Sequence, residues 1–461
     1  MTASLSGRLL RRGDAGFENA AVSRIFNLRR PAPRPAAVLR AADAADVAAG
    51  VRLARAEGLR VAVRAGGHSW AAWSLRDDTL LIDLAAFTRM SYDEDTGIVT
   101  AGPAIRGGVD LDPFLANRGR FFAGGHCPTV GLGGFLLQGG MGWNCRGWGW
   151  AAESIDAIQV VTAEGEIVWC DESENTDLFW AARGAGPGFF GVVTAFRLRT
   201  RQRHAELIQT TYVYPAEVAR DVLGWLHQAR HDVPSSVELV AVGITPPLPP
   251  EVDYAGPVLV VDGVSFDGGP ESLAALGSCP VVGKALVSKI AQPVTIGELC
   301  VEQVRANPEG HRYVVDNAYL AGPPGALIPA LTPAFTELPT AKSFSLWFDL
   351  ARPESQGQPA RPRPDMAVSA ATDIYFATYV VWDDQSQDAG CRSWVDDTMR
   401  HLEPFSAGCY LGDSDLTVRP ARFMSDEAWD RFRQIRAVRD PDRLFAGYQT
   451  PTDEHAKATG Q

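Results

Sequence analysis

Glycine is concentrated in four short stretches of this chain: RAGGHS at 64–69, GGHCPTVGLGG at 124–134, QGGMG at 138–142 and GAGPGFFG at 184–191. A residue without Cβ adopts positive φ at no steric cost and lets another chain or a ligand approach the main chain closely. Each stretch is therefore a turn, and the elements between them are short. Successive exposed N–H groups in a turn also make a concave site for an anion. One such stretch can be no more than a sharp connection between strands. Four together suit a phosphate-bearing ligand laid across several turns.

Two familiar nucleotide signatures do not account for them. Gly184-Ala-Gly186-Pro-Gly188 is not G-x-G-x-x-G, and it precedes a strand-like run at 192–198 instead of opening a helix, which disfavours a doubly wound dinucleotide fold. No G-x-x-x-x-G-K-[ST] occurs, so a phosphate loop for ATP is disfavoured too.

Between the turns, strand and helix signals alternate. Residues 37–40, 59–64, 79–84, 98–101, 157–163, 166–170 and 192–198 read as strands, and the Ala/Val/Leu spacing at 45–57 reads as a helix. Beyond about residue 203 the segments lengthen and proline breaks them, as in TPPLPP at 245–250, which marks a boundary. Runs at 343–350 and 375–382 read as strands of one sheet with alternate residues facing a core or a cavity, and 356–364 as a loop. Trp429, Phe432, Ile435 and Val438 give 426–439 a helical spacing that RDPD at 439–442 ends. The fold class is α+β, with residues 1–205 and 415–461 forming one domain and 206–414 a second.

A chain of 461 residues with 46% hydrophobic and 21% charged content can build a substantial core in two domains. Its net charge of -12 repels phosphate backbones and anionic membrane surfaces, which disfavours nucleic acid as a partner. Neither a signal-peptide core nor a run of about 18 to 20 apolar residues is present, so the expectation is a cytoplasmic protein with no membrane partner. The seven cysteines form no CxxC pair and no metal-ligand spacing, which argues against zinc and against a disulfide framework. No feature specifies an oligomer.

His68 and Cys127 stand out because each lies in a glycine turn. A histidine there is often a structural hydrogen-bond partner and a cysteine often inert packing. A shared setting suggests more. The isoalloxazine ring of a flavin is electrophilic at its 8-methyl group and at carbon 6, so a neutral imidazole and a thiolate at that edge can each form a bond. Two bonds would anchor the ring and raise its reduction potential while leaving an open cleft for a bulky substrate.

VRAGGHSW at 63–70, GGHCPTVGLGG at 124–134, QGGMGW at 138–143, GAGPGFFGVVTAF at 184–196 and RDPDRLFAGYQ at 439–449 together resemble the berberine bridge enzyme-like flavoproteins of the vanillyl-alcohol-oxidase and para-cresol-methylhydroxylase superfamily. The resemblance covers roughly residues 30–200 and 415–450. It implies a two-lobed FAD-binding domain of the PCMH type and a substrate domain whose antiparallel sheet is covered by helices. It also implies FAD bound covalently at both His68 and Cys127. Gly66, Gly67 and Ser69 would hold the pyrophosphate, and Arg64 is a further cofactor-binding candidate. Val130, Gly131, Gly134, Gly139, Gly140 and Gly142 would line the flavin, with Gly191 and Val192 on the adenosine side and Tyr448 in the returning C-terminal segment. A small residue at the position of Val130 accompanies oxygen reactivity in the family, which points to an oxidase. Two departures occur: the common Gly-Asn-Phe-Gly reads Gly188-Phe-Phe-Gly191, and the usual Asn before the final Gln-containing segment is Gly447 or Tyr448.

Oxidising an alcohol needs a base for the O–H proton. The family's catalytic tyrosine aligns with GCYLGDSD at 408–415 in two ways. In one, Tyr410 takes the catalytic place; in the other, Tyr410 is the tyrosine three residues earlier and Asp413 takes it. We favour the first. Asp349, in an aromatic strand, reads either as a carboxylate partner with raised pKa or as an exposed edge residue. Tyr375 and Tyr379 share a facing on a neighbouring strand, with core packing as their plainer role. Trp70, Trp73, Trp143, Trp148 and Trp150 crowd the glycine motifs; rings there stack on a sugar or a fused aromatic, or simply pack, and Trp70 is the candidate for substrate contact. The expected activity is an FAD oxidase taking a hydride from an alcohol, hemiacetal or activated C–H carbon of a secondary metabolite, with O2 as acceptor giving H2O2. Alternatives are an oligosaccharide oxidase, a dehydrogenase with poor oxygen reactivity and a non-catalytic flavin-binding protein.

Overall fold

The computed structural model describes residues 5–204, 206–266, 269–350, 364–369 and 371–448. The loop expected at 356–364 and the end of the terminal motif, Gln449, lie outside them except for Pro364. Three principal sheets form around the glycine turns. The first has four strands in the order Arg8–Arg11, Ala37–Arg40, Thr79–Asp83, Arg60–Arg64, parallel except for the pairing of the first strand. Helix Ala44–Ala56 crosses back between two of these strands and buries Val47, Val51 and Ala54, its start capped by Asp43, whose carboxylate accepts from the Asp46 N–H. The second sheet is antiparallel with five strands, in the order Met90–Asp93, Ile98–Ala101, Val192–Arg199, Ile155–Val161, Ile167–Cys170.

The third sheet has eight antiparallel strands in the order Val287–Val294, Leu207–Pro215, Val258–Ser265, Val237–Ile244, Phe344–Asp349, Ile374–Trp382, Arg312–Leu320, Ser406–Gly408. Strand side chains alternate between faces. One face, with Trp347, Phe376 and Val380, packs on helices Ala219–Ala229, Pro324–Thr336 and Asp388–Leu402. The other, with Phe344, Leu346, Phe348, Tyr375 and Tyr379, looks toward the glycine turns.

The C-terminal segment returns to the first sheet, where Val61 and Phe445 form a parallel bridge held by Val61 N–H to Leu444 O at 2.8 Å and Ala446 N–H to Val61 O at 2.9 Å. Helix Asp426–Arg439 forms as its spacing predicts, but Val438 is 75% exposed. Steps of three residues fall short of a full 3.6-residue turn, so three of them carry the stripe from Trp429 to the opposite side of the helix.

Candidate active site

A cavity of about 1060 Å³ lies between the glycine turns and the open face of the eight-stranded sheet. It is slightly larger than the roughly 300–1,000 Å³ of small-molecule clefts. His68, Cys127, Trp70, Tyr375, Tyr379, Tyr410 and Asp413 all contribute to its wall.

Its floor at one end is built from two glycine turns in backbone contact. A Cβ on Gly66 would stand 2.8 Å from the Gly131 nitrogen, and one on Gly131 would stand 2.8 Å from the Gly66 Cα, so neither turn tolerates a side chain there. Gly67 has φ of +83°, and a Cβ on it would overlap the Arg24 carbonyl. Among the described residues the backbone N–H groups of Gly66, Gly67, His68 and Ser69 have no acceptor. Four successive donors beside a cavity form an anion cradle. Asp83 anchors the turn from behind: it pairs with Arg64 at 2.6 Å and with Arg24, which also donates to the Ala65 carbonyl.

His68 follows this cradle. Its ring stacks on Phe26 with centroids 4.4 Å apart, and its Nε2 lies 2.9 Å from the Thr129 hydroxyl. The same hydroxyl is 3.5 Å from the Cys127 sulfur. Thr129 thus joins the two residues, and Nδ1 of His68 makes no hydrogen bond among the described residues. Desolvation lowers the His68 pKa to about 4, which keeps the imidazole neutral. Burial pushes the Cys127 thiol up, opposed by the hydrogen bond from Thr129.

Asp413 is the most heavily served carboxylate on the wall. Its Oδ2 accepts from Tyr375 at 2.5 Å and Tyr379 at 2.9 Å, and its Oδ1 accepts from the Trp70 indole N–H at 2.9 Å. Burial raises its pKa, while the three donors favour the charged form. Burial and the adjacent Asp413 charge both push the Tyr375 and Tyr379 phenols upward, so they remain donors. Tyr410 turns its hydroxyl to the Met141 N–H at 3.3 Å and lays its ring near Trp150 at 5.6 Å. Burial, followed by the Asp413 charge, raises its pKa. Buried Asn317 fixes the loop that carries both residues: its amide donates to the Tyr410 carbonyl at 3.0 Å and its oxygen accepts from the Tyr410 N–H at 2.7 Å.

Several expected site residues stand elsewhere. Asp349 is neither a cavity carboxylate nor an exposed edge. Phe344, Leu346 and Phe348 face the cavity, so alternation sends Asp349 to the helix face, fully buried, where Arg146 Nε at 3.0 Å and Arg230 at 3.2 Å bind it. Arg64 lines the cavity, but its guanidinium turns to Asp83 and the Ala20 and Ala21 carbonyls, so it braces the turn. Gly139, Gly140, Gly142, Val192 and Tyr448 stand behind the wall. Gly139 and Gly140 have φ of +101° and +75° and turn the chain between Phe135, Trp150 and Val368; Gly142 bridges to Gly125. Val192 is buried in the five-stranded sheet, and the Tyr448 hydroxyl donates to the Ala185 carbonyl at 2.7 Å. Val130, Gly131, Gly134 and Gly191 do line the cavity. Trp148 and Trp150 pack on Phe121 and Tyr410, whereas Trp73 and Trp143 reach the wall.

Other wall residues carry no local sequence signal. Glu238 accepts from the Asn144 N–H at 2.5 Å and lies 3.0 Å from the His126 Nε2, tying the Cys127 loop to the sheet. Asp262 accepts from Gln209 and Thr211 on the adjacent strand. Strand pairing brings the Asp262 group together, and packing of the glycine-rich loops on the sheet brings the Glu238 group together. Thr129 lies inside a glycine motif, two residues after Cys127, and that proximity was the signal available.

A sequence profile for the FAD binding domain matches residues 35–171. The FAD-linked oxidoreductase nodO of Hypoxylon pulicicidum is 34% identical over 439 residues, which cover 94% of each chain. The chain belongs to the FAD-linked oxidoreductases. Among solved structures, BBE-like 1 of Physcomitrella patens superposes with a TM-score of 0.81 at 20% identity over 96% of each chain. Glucooligosaccharide oxidase of Acremonium strictum, whose FAD is 6-S-cysteinyl and 8α-N1-histidyl, also gives 0.81 at 20% identity over 96% of each chain. This FAD-linked oxidoreductase therefore has the fold of these two flavoproteins, an α+β fold as its sequence implies.

The residues present fit FAD. The cradle of unpaired N–H groups suits a pyrophosphate, the backbone contact of Gly66 with Gly131 keeps the turns open to it, and a neutral imidazole and a thiol share Thr129 on the same cavity. As an FAD-linked oxidoreductase it is an enzyme acting on organic substrates. No helix among the described residues is long and apolar enough to cross a membrane.

Proposed function

We propose that the protein is an oxidase that holds FAD through bonds to both His68 and Cys127 and oxidises an alcohol, hemiacetal or activated C–H carbon of a medium-sized organic molecule, with O2 as electron acceptor. The observation that carries this reading is that the Tyr375–Asp413 pair opens on the same cavity as the His68–Thr129–Cys127 group. The glucooligosaccharide oxidase with a doubly linked flavin supports the attachment by analogy of fold. Residues 1–205 and 415–461 would hold the cofactor and 206–414 would supply the substrate side.

Bound flavin supplies the two-electron acceptor. The side chains manage the proton. Tyr375 takes the substrate's hydroxyl proton as it passes its own to Asp413 Oδ2. Burial, which raises the Asp413 pKa, makes it the stronger acceptor of that proton, and Tyr379 and Trp70 hold it in place. Tyr410, whose pKa burial raises, then serves to shape the wall. Val130, at the wall, supports oxygen reactivity through the family's preference for a small residue there.

The test is purification from an expression host, unfolding in acid and inspection for flavin fluorescence on the polypeptide. Yellow protein that keeps its flavin through unfolding, and loses one bond in each of His68→Ala and Cys127→Ala, is the expected result. Release of all flavin from the wild type overturns double attachment. Hydrogen peroxide released in proportion to substrate oxidised supports the oxidase reading, and reoxidation in air over minutes replaces it with a dehydrogenase.

A further inference from the structure

The eight-stranded sheet carries a second polar feature, remote from Asp413. Strand registers align Thr211, Asp262, Val240, Phe348 and Tyr375 in one row across the sheet. Asp262 and Tyr375 are three strand spacings apart, or about 14 Å at roughly 4.8 Å per spacing. Between them the cavity wall is apolar, made by Val240, Phe348, Val242, Val260 and Leu346, while Glu238, Lys289 and Glu302 also line the cavity.

Asp262 is held for interaction. Thr211 donates to Oδ1 at 2.5 Å, and Gln209 donates at 3.1 Å to both Oδ1 and Oδ2. These are three of about four acceptor positions on a carboxylate, which leaves capacity on Oδ2. No arginine, lysine or histidine pairs with Asp262 among the described residues. Lys289, across Thr211 in the next strand, is exposed and makes no ion pair there. Desolvation, against the Thr211 and Gln209 hydrogen bonds, raises the carboxyl pKa to about 6, with Glu302 and Glu238 adding to the rise, so at pH 8 the group is ionised in a poorly hydrated place. Such a charge, held by Thr211 and Gln209 without a counter-ion, gains from a further donor.

Resting on the flavin-oxidase reading above, we propose that Asp262, held by Gln209 and Thr211, recognises a hydrogen-bond donor at the far end of an elongated, apolar substrate whose reacting carbon lies at Tyr375 and Asp413. The substrate class is a molecule with an apolar body and an O–H or N–H group about 14 Å from its oxidised end, by the strand spacing. The stretch between the two ends, made by Val240, Val242, Val260, Leu346 and Phe348, suits the apolar body and offers no partners to hydroxyls along it.

The test uses the full-length holoenzyme at pH 8 and isothermal titration calorimetry with two probes, 1,10-decanediol and 10-methoxydecan-1-ol. Both offer a hydroxyl to the Tyr375 end and a similar extended length, but only the diol has a donor at the remote end. The diol is expected to bind at least about tenfold more tightly, the difference a single hydrogen bond to a charged group supplies. Asp262→Leu is expected to bring the two probes within about twofold. A wild-type ratio below twofold overturns the proposal without any variant, and so does a ratio that survives in Asp262→Leu or in its second form, Asp262→Val. Cellobiose binding as tightly as the diol also overturns it. Flavin absorbance of the same samples separates the two readings: colourless protein refutes the oxidase, whereas yellow protein without discrimination between the probes refutes only the Asp262 subsite.

Discussion

Tyr375 donates its phenolic proton to Asp413 Oδ2 at 2.5 Å, linking a strand of the eight-stranded sheet to the loop that leads into the C-terminal return. Neither residue has this role alone. The phenol, raised by burial and by the neighbouring charge, is a poor base until Asp413 draws its proton. Asp413→Asn keeps the size and an acceptor oxygen but removes the basicity. Anaerobic stopped-flow measurement of flavin reduction by substrate is expected to show a loss of about 10²- to 10⁴-fold with flavin still bound. Tyr375→Phe, which leaves the carboxylate able to act directly, is expected to lose less. An unchanged reduction rate in Asp413→Asn returns the base to Tyr410.

Thr129 offers a second variant with a divided readout. Its hydroxyl meets His68 Nε2 at 2.9 Å and the Cys127 sulfur at 3.5 Å, so it orients one nucleophile and stabilises the other. Thr129→Val preserves shape and removes both contacts. Mass spectrometry of the unfolded protein is expected to show a smaller fraction of doubly attached flavin, with the Cys127 bond more reduced, because the hydrogen bond that opposes its raised pKa is gone. Full double attachment in this variant would remove Thr129 from the assembly of the site.

The two attachments are expected to respond to pH over different ranges when apoprotein is loaded with FAD. His68 acts as neutral imidazole, and with a pKa lowered to about 4 it stays neutral from pH 8 down to about pH 5 and loses the free nitrogen only below that. Cys127 acts as thiolate, and because burial raises its pKa the reactive fraction grows as pH rises. In Cys127→Ala the loading rate through His68 is expected to be flat between pH 5 and 8. In His68→Ala the rate through Cys127 is expected to climb over the same range. A fall in the histidine route centred near pH 6.5 would show that the imidazole is as hydrated as in water.

What the sequence made legible follows from how local each requirement is. Gly66, Gly67 and Gly131 were legible because a close backbone approach or a positive φ admits little else, and that demand is written at the residue itself. His68 and Cys127 stood out by lying in those turns. The proton acceptor was harder, since Trp70 and Asp413 lie 343 positions apart and meet only after the C-terminal segment returns. Asp262 and Glu238 gave no local sign at all. Strand parity explains the remaining error: alternation states that Asp349 and Phe348 face opposite ways, but not which way is the cavity.

Asp349 supplies the last prediction. Fully buried on the helix face, it binds Arg146, from the short helix Cys145–Trp148 after the glycine turns, and Arg230, just beyond helix Ala219–Ala229. Arg146 also donates to the Pro234 carbonyl at 2.7 Å and the Arg230 carbonyl at 2.6 Å, so this carboxylate stitches the glycine-rich segment to the sheet. Removing one member of a buried charge cluster leaves the others uncompensated, at a cost of about 3–5 kcal/mol. Asp349→Ala is therefore expected to lower the unfolding midpoint in thermal denaturation, while the rate of flavin reduction, normalised to bound flavin, stays within about twofold of wild type because the side chain does not reach the cavity. Asp413→Asn should show the reverse, slow reduction at a nearly unchanged midpoint. If Asp349→Ala instead slowed reduction at full stability, the carboxylate would have to act through the sheet on Tyr375, and the assignment of the two faces would need to be redrawn.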